Sequence, residues 1–262
     1  IMRVRTPLPR RVLKRLPNLR FIATTGGRNA SIDLAAARDL GIVVSATGAN
    51  GSGAPELTWA LILAAARHVP TEIASFRSGG WQTTVGRDLR GSTLGVIGLG
   101  RIGRQMAKVG LAFGMEVIAW SQNLTDEAAE AAGVRRVEKE TLLRGSDWVT
   151  LHLVLSERTK GIIGQDELAL MKPPAWLVNT SRGPLVDEDA LITALETKTI
   201  AGFAVDVFDD EPLPGNHPLR TLGNVIATPH IGFVTENSYR IFYRDTVDNL
   251  VAWLNGAPLR VL

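Results

Sequence analysis

The sequence predicts an α/β fold built on a doubly wound, mostly parallel sheet. Three observations carry this. Short apolar runs that read as buried strands alternate with amphipathic stretches along the chain. One of those runs feeds directly into a glycine-rich turn that opens a helical pattern. The 262 residues, 45% hydrophobic and 21% charged, are ordinary for a globular protein and suit one large domain or two moderate ones.

In order along the chain, Arg20–Thr25 reads as a short buried strand closed by Gly26 and Gly27. Ile32–Asp39 reads as a helix stopped by Gly41, and Ile42–Ser45 as the next strand. Ala49–Pro55, rich in small residues and turn formers, is a candidate hinge. Glu56–His68 is the most apolar helix, with Pro55 at its start, and its apolar circumference calls for burial between domains or subunits. Residues 71–92 read as irregular. Beyond them strands are expected at Thr93–Gly98, Glu116–Trp120, Trp148–Leu153, Ala175–Asn179, Gly202–Val207 and Asn224–Thr228. Helices are expected at Arg101–Phe113, ending near Leu142–Leu143, at Asp166–Met171 and Asp187–Glu196, and finally over Thr235–Asn255.

The composition excludes several chemistries. There is no Cys, so disulfides, thiolate metal sites and a Cys nucleophile are absent, which fits a reducing, cytoplasmic setting. Without Cys or paired His there is no zinc site of the alcohol-dehydrogenase kind, and no metal is expected. No G-x-S-x-G marks a serine hydrolase. The longest apolar run, Leu57–Ala66, has ten residues, too few to span a bilayer. The net charge of +3 is concentrated in residues 1–20, where Arg3, Arg5, Arg10, Arg11, Lys14, Arg15 and Arg20 face no acid. Without these seven the 29 bases fall to 22 against 26 acids. A local solvated basic face, with Leu13, Leu16 and Leu19 as its apolar positions, explains this better than a nucleic-acid or membrane partner.

Gly98-Leu99-Gly100-Arg101-Ile102-Gly103 follows a predicted strand and opens a predicted helix, the context in which G-x-G-x-x-G binds a dinucleotide. Gly98 permits the tight turn, Gly100 lets the backbone approach a pyrophosphate, and Gly103 lets the helix pack on the strand. The next strand ends Trp120-Ser121-Gln122-Asn123, without the acid that would grip the adenosine ribose. Ser121 and Asn123 accept a hydroxyl or a phosphate, and no Arg follows directly. NAD and NADP therefore both remain open as cofactors.

Of the four His, His68 ends a helix and reads as structural, and His217 reads as solvated in a Pro-rich loop. His152, at a strand end, is a candidate for a polar contact near a nicotinamide. His230 lies between Pro229 and Ile231-Gly232, just past a strand, where such sheets open to their crevice. Fixed backbone there suits a general acid, and a carboxylate neighbour would raise its pKa. Asp206, Asp209, Asp210 and Glu211 all follow one strand end, and residue spacing does not choose among them. Arg182, past another strand, offers a planar fork to a carboxylate or carbonyl oxygen.

Gly98–Gly103, NTSRGPLVDEDAL (Asn179–Leu191), DVFDDEPLP (Asp206–Pro214) and TPHIG (Thr228–Gly232), in this order and spacing, resemble the D-isomer-specific 2-hydroxyacid dehydrogenase family from about residue 3 to the C-terminus. The resemblance implies a Rossmann dinucleotide-binding domain over 51–234. It also implies a smaller, discontinuous, flavodoxin-like substrate domain over 1–50 and 235–262, with a first β-α-β unit expected before Ile1. By the same resemblance Arg182 holds the substrate carboxylate and carbonyl, His230 is the acid/base and Glu211 its partner. Arg101 and Ile102 offer amides to the pyrophosphate, and Asp206 bonds the nicotinamide carboxamide. Backbone N–H groups near Gly27 and Arg28 grip the carboxylate. Hydride would pass between NAD(P) and C2 of a 2-hydroxy or 2-keto acid. A homodimer is implied, with the 56–68 helix, the 71–92 arm and Trp81 at its contact. Ser121, Val154 and Arg28 depart from the family pattern. Arg28 is either an exposed charge or a contact to a second acidic group on the substrate. A non-enzymatic NAD(H)-binding scaffold of the corepressor type resembles the sequence too, although no extended partner-binding tail is visible. A nucleotide-dependent methyltransferase leaves Arg182, Glu211 and His230 unexplained.

Overall fold

A computed structural model describes residues 7–262, so Arg3 and Arg5 of the basic segment lie outside the described residues. The chain opens with α1 (Arg10–Leu13), β1 (Phe21–Ala23), α2 (Leu34–Asp39) and β2 (Val43–Ser45). Next come α3 (Gly53–Ala66), α4 (Val69–Arg77), β3 (Thr93–Ile97), α5 (Arg101–Ala112) and β4 (Glu116–Trp120). They are followed by α6 (Asp126–Glu130), β5 (Arg135–Arg136), α7 (Lys139–Gly145), β6 (Trp148–Leu151), α8 (Gln165–Leu170) and β7 (Trp176–Asn179). The chain closes with α9 (Glu188–Glu196), β8 (Gly202–Val205), β9 (Val225–Ala227) and α10 (Glu236–Leu254).

Two compact units result, one from the chain up to Gly53 together with Phe233–Leu262, the other spanning Ala54–Gly232. The larger unit is a seven-stranded parallel sheet in the order β5-β4-β3-β6-β7-β8-β9. The chain winds outward from β3 to β5, then crosses back to β6 on the other side of β3. That reversal makes a switch point at the carboxyl ends of β3 and β6, where such sheets take their ligands. Successive strand residues serve opposite faces. Val149, Leu151, Leu177, Phe203 and Val205 join one buried cluster, while Leu94, Val96, Val117, Ala119, Val178 and Ala204 join the other. Both faces are covered by helices, which is why these strands read as continuous apolar runs.

Helix starts follow local chemistry. Asp33, Thr125, Asp187 and Thr235 cap α2, α6, α9 and α10 by accepting from the N–H three residues on. Sequence reading put Asp187 and Thr235 inside their helices, one residue too early. The stretch read as irregular over 71–92 is in part wrong: Val69–Arg77 is helical, with Pro70 and Glu72 in its first turn. It buries no residue, so it lacks the apolar stripe by which helices are recognised. The two-residue edge strand β5 and the short α6 were likewise unforeseen.

In the smaller unit β1 and β2 pair in parallel, and α10 packs on β1 through stacked Phe21 and Trp253 rings 5.2 Å apart. Leu13 is buried and Leu19 packs beside it, but Leu16 is exposed, because α1 stops after one turn. Arg10 pairs with Asp39, and Arg20 donates to the carbonyls of Pro17 and Leu19. Arg11, Lys14 and Arg15 are exposed, as a solvated face requires.

Asp245 on α10 is buried, and its carboxylate accepts from Gly48 N–H at 2.8 Å and from Arg244 at 3.0 Å, with Arg260 3.5 Å away. Burial alone would push its pKa up; these partners together outweigh it and hold the carboxyl below its usual range. A depressed native pKa gives stability that is present above the unfolded-state value of about 3.9 and is lost as pH falls through the native one. Tm is therefore expected to drop as the pH is taken below about 4. Asp245→Asn should cost about 1.5–3 kcal/mol at neutral pH and blunt that acid sensitivity, as read by thermal melts between pH 3 and 7.

Candidate functional site

The glycine turn sits at the switch point, between β3 and α5. Gly98 has φ +101°, and a Cβ there would lie 2.7 Å from the His152 carbonyl oxygen. At Gly103 a Cβ would lie 2.1 Å from the Gly98 carbonyl oxygen, so α5 can sit against the turn only with glycine at that position. A Cβ at Gly100, in contrast, would meet nothing within 4 Å. Two glycines thus make the turn and one leaves open space over it. Gly100 heads the twelve-residue α5 with no side-chain cap. The first-turn N–H groups of Arg101, Ile102 and Gly103 have no partner among the described residues. An uncapped helix start beside an open backbone fits a pyrophosphate. Ser121 directly follows β4, with no acid in the Ser121–Asn123 segment.

His152 follows β6, and its ring bonds the Thr150 hydroxyl at 2.9 Å. Part of its surface reaches solvent, but burial of the imidazole pushes its pKa down to about 3, so the ring is neutral across the physiological range. His217 is not solvated as expected. It bonds Glu188 on α9 at 3.0 Å and its Nδ1 accepts from Leu219 N–H, a half-buried pair that sequence distance concealed.

The remaining candidates converge at the carboxyl ends of β7, β8 and β9. Past β9, His230 Nδ1 stands 3.1 Å from both carboxylate oxygens of Glu211. Both side chains are mostly buried, 21% and 12% exposed. Of the four acids past β8 that residue spacing left open, Glu211 is the one hydrogen-bonded to His230. Its Oε1 also accepts from the Phe208 N–H at 2.7 Å, which fixes the carboxylate from behind. A carboxylate only accepts, so with Glu211 ionised the hydrogen-bonding proton of this pair sits on Nδ1.

His230 has φ +54°, a left-handed backbone that non-glycine residues hold only under external constraint. Asp206 supplies that constraint. This buried carboxylate accepts from the Thr228 hydroxyl at 2.6 Å and from the N–H groups of Ile231 and Gly232 at 2.8 Å each. The residues that bracket His230 are thereby tied to the end of β8, an arrangement that residue pattern does not foretell.

Arg182 follows β7 in a turn shaped by buried Asn179, which accepts from Ser181 N–H and donates to the Arg182 carbonyl. The guanidinium is exposed and donates to the Ser181 carbonyl. Next to it, a Cβ at Gly183 would fall 2.2–2.4 Å from the Phe208–Asp209 backbone. Glycine therefore lets the Arg182 turn press against the segment that carries Glu211. Asp209, in that segment, has its pKa raised by burial and by nearby Glu188. Gly27 and Arg28 belong to the smaller unit, where both are exposed. Among the described residues no group of acids and His is placed to hold a metal.

Residues 59–232 match the family described as D-isomer specific 2-hydroxyacid dehydrogenase, NAD binding domain. The chain is 43% identical to a D-3-phosphoglycerate dehydrogenase of Methanocaldococcus jannaschii over 92% of its own length and 46% of that protein's. It is 41% identical to a glyoxylate reductase of Aeropyrum pernix, over 94% of the chain and 76% of the relative. It thus spans about half the length of the first relative and about three quarters of the second. Among solved structures, a phosphoglycerate oxidoreductase from Vibrio cholerae O395 superimposes with a TM-score of 0.93 at 38% identity, covering 97% of this chain and 83% of that one.

Proposed function

The chain belongs to the D-isomer-specific 2-hydroxyacid dehydrogenase family and carries its NAD(P)-binding domain, and from that premise we propose that it is an oxidoreductase interconverting a D-2-hydroxy acid and its 2-keto acid. The observation that carries the proposal is the His230–Glu211 pair at the strand ends, in the same unit as the glycine turn. When bound, the nicotinamide supplies or accepts the hydride at substrate C2. Gly98, Gly100, Arg101, Ile102 and Gly103 seat its pyrophosphate, and Ser121 lies where the adenosine ribose is expected. His230 Nε2 gives a proton to the carbonyl oxygen in reduction and takes it back in oxidation. Glu211 holds the ring by Nδ1 and favours its protonated form. Arg182 holds the substrate carboxylate and steadies charge developing on the carbonyl oxygen. Asp206 fixes the His230 turn and is also our candidate for the nicotinamide carboxamide contact.

Gly27 and Arg28 offer backbone N–H groups to the carboxylate. The Arg28 side chain is exposed and has no ion pair among the described residues, so we assign it a second acidic group on the substrate. A homodimer is part of the proposal. It is supported by α4, which buries nothing, and by exposed Phe76, Trp81 and Val85, at 66%, 74% and 91% exposure. The absence of Cys suits a cytoplasmic setting, and among the described residues no helix is long and apolar enough to cross a membrane. The corepressor-type scaffold is not favoured by relatives named dehydrogenases and reductases.

The test is initial-rate measurement with a panel of 2-keto acids, NADH and NADPH in parallel. Turnover is expected with both cofactors, since the uncharged Ser121 can hydrogen-bond a ribose hydroxyl or a phosphate oxygen and does not repel a 2′-phosphate. Keto acids bearing a second anionic group are expected to have the lower KM, and Arg28→Ala should raise that KM about tenfold while leaving simple keto acids unchanged. Cofactor binding without turnover of any keto acid would defeat the enzyme reading.

A further inference from the structure

The smaller unit contains a continuous hydrogen-bonded chain that no step above uses. Gly26 is clasped at both ends by Thr47: its N–H donates to the Thr47 hydroxyl at 2.8 Å, and its carbonyl accepts the Thr47 N–H at 3.3 Å. The same hydroxyl donates to the Gly48 carbonyl at 2.9 Å, and the Gly48 N–H donates to buried Asp245 on α10 at 2.8 Å. One residue earlier, Ala46 is held in the same way. Its carbonyl accepts from Asn249 on α10 at 2.7 Å, and its N–H donates to the Arg260 carbonyl at 2.8 Å. Arg260 closes the circuit by donating to the Asn249 side-chain oxygen at 2.8 Å and lying 3.5 Å from Asp245. At the far side of the loop, the buried Asn29 amide donates to the Thr24 hydroxyl at 2.9 Å.

Between these braces Gly27 and Arg28 are exposed, and their N–H groups make no hydrogen bond among the described residues. A loop held on both sides, with two unbonded N–H groups between, is preorganised for an anion, because its ordering cost is met before the ligand arrives. Asp245 and Asn249 lie about two hundred residues from the loop segment they hold. Both are buried yet satisfied, as a persistent network requires.

We propose that Thr47, Asp245 and Asn249 are positioning residues that latch the Thr24–Ile32 loop to α10 and so set the aim of the Gly27 and Arg28 N–H groups at the substrate carboxylate. This rests on the assignment of those N–H groups to the carboxylate. It gives α10 a part in substrate affinity through the loop it holds.

Thr47→Val in the full chain is the test, since it removes the hydroxyl and keeps the side-chain shape. Amide hydrogen exchange across Thr24–Ile32 is expected to quicken about tenfold, the loss of roughly one hydrogen bond. KM for the keto acid should rise about tenfold, with kcat and the NADPH dissociation constant within about twofold of the parent. Thr47→Ser, which restores the hydroxyl, should return both readouts to the parent values. Asp245→Asn should change them in the same direction if the variant stays folded by circular dichroism. Unchanged exchange in Thr24–Ile32 would overturn the latch. Faster exchange with unchanged KM would overturn its link to substrate. An inactive parent enzyme would instead refute the oxidoreductase reading, and the exchange measurement would still decide the latch.

Discussion

His230→Asn is expected to lower kcat for keto-acid reduction by about 10²–10⁴, the usual worth of a positioned general acid, while the dissociation constant for NADH stays unchanged. Asn is the informative replacement because it tolerates a left-handed backbone, and His230 sits at φ +54°. The substitution therefore removes the proton carrier without adding strain to a turn that Asp206 already holds at Thr228, Ile231 and Gly232. Glu211→Gln should act differently. It keeps a hydrogen-bonding partner beside Nδ1 but deletes the negative charge 3.1 Å from the ring. The protonated imidazole then loses its stabilisation, and the alkaline limb of the reduction rate moves to lower pH. His152 will not mask that limb, because its ring, at a pKa near 3, is already neutral. Full pH–rate profiles of parent and both variants supply the check. Normal turnover in His230→Asn would remove His230 from the chemistry.

Arg182→Ala carries the second large expectation, a loss of about 10²–10³ in kcat together with a raised KM. Its guanidinium is exposed at a strand end, in a turn braced by Asn179 on one side and pressed against Phe208–Asp209 at Gly183 on the other. The turn that presents it is thus fixed by backbone contacts, and among the described residues the guanidinium makes no ion pair. Arg182→Lys should recover little, since an ammonium cannot reproduce the planar two-pronged contact to a carboxylate. Steady-state kinetics of both variants, with cofactor binding measured by fluorescence, separates this from loss of the dinucleotide site. Equal activity in Arg182→Lys and the parent would show that only charge matters there.

What the sequence disclosed and what it withheld divide along a physical line. Strands β3, β4, β6, β7 and β8 were legible because burial on both faces makes each a largely continuous apolar run, the half-buried edge strand β9 because its short run is apolar too, and helix α5 because three glycines announce it. The starts expected for α9 and α10 fall one residue early, because the caps Asp187 and Thr235 stand just outside the helices they start. Helix α4 was missed because a helix that buries nothing leaves no periodic signal. His217 was misread as solvated because Glu188, its partner, is 29 residues away.

The same line runs through the candidate site. By itself the sequence determined the fold class, the glycine turn, the absence of an acid at Ser121, and the presence of Arg182, Glu211 and His230 just past separate strands. These are properties of residue type and local pattern, which the chain carries before it folds. Residue spacing left four neighbouring acids open as partners of His230 and only the family resemblance pointed to Glu211; the tertiary structure shows that hydrogen bond. Only it showed that Asp206 locks the turn around that histidine, that Gly183 admits the Arg182 turn against the Glu211 segment, and that α10 reaches back to Ala46 and Gly48. Each of these is a contact between segments 19 to 203 residues apart. Such contacts are set by the closure of a parallel sheet and the return of the chain, and short-range patterning has no term for them.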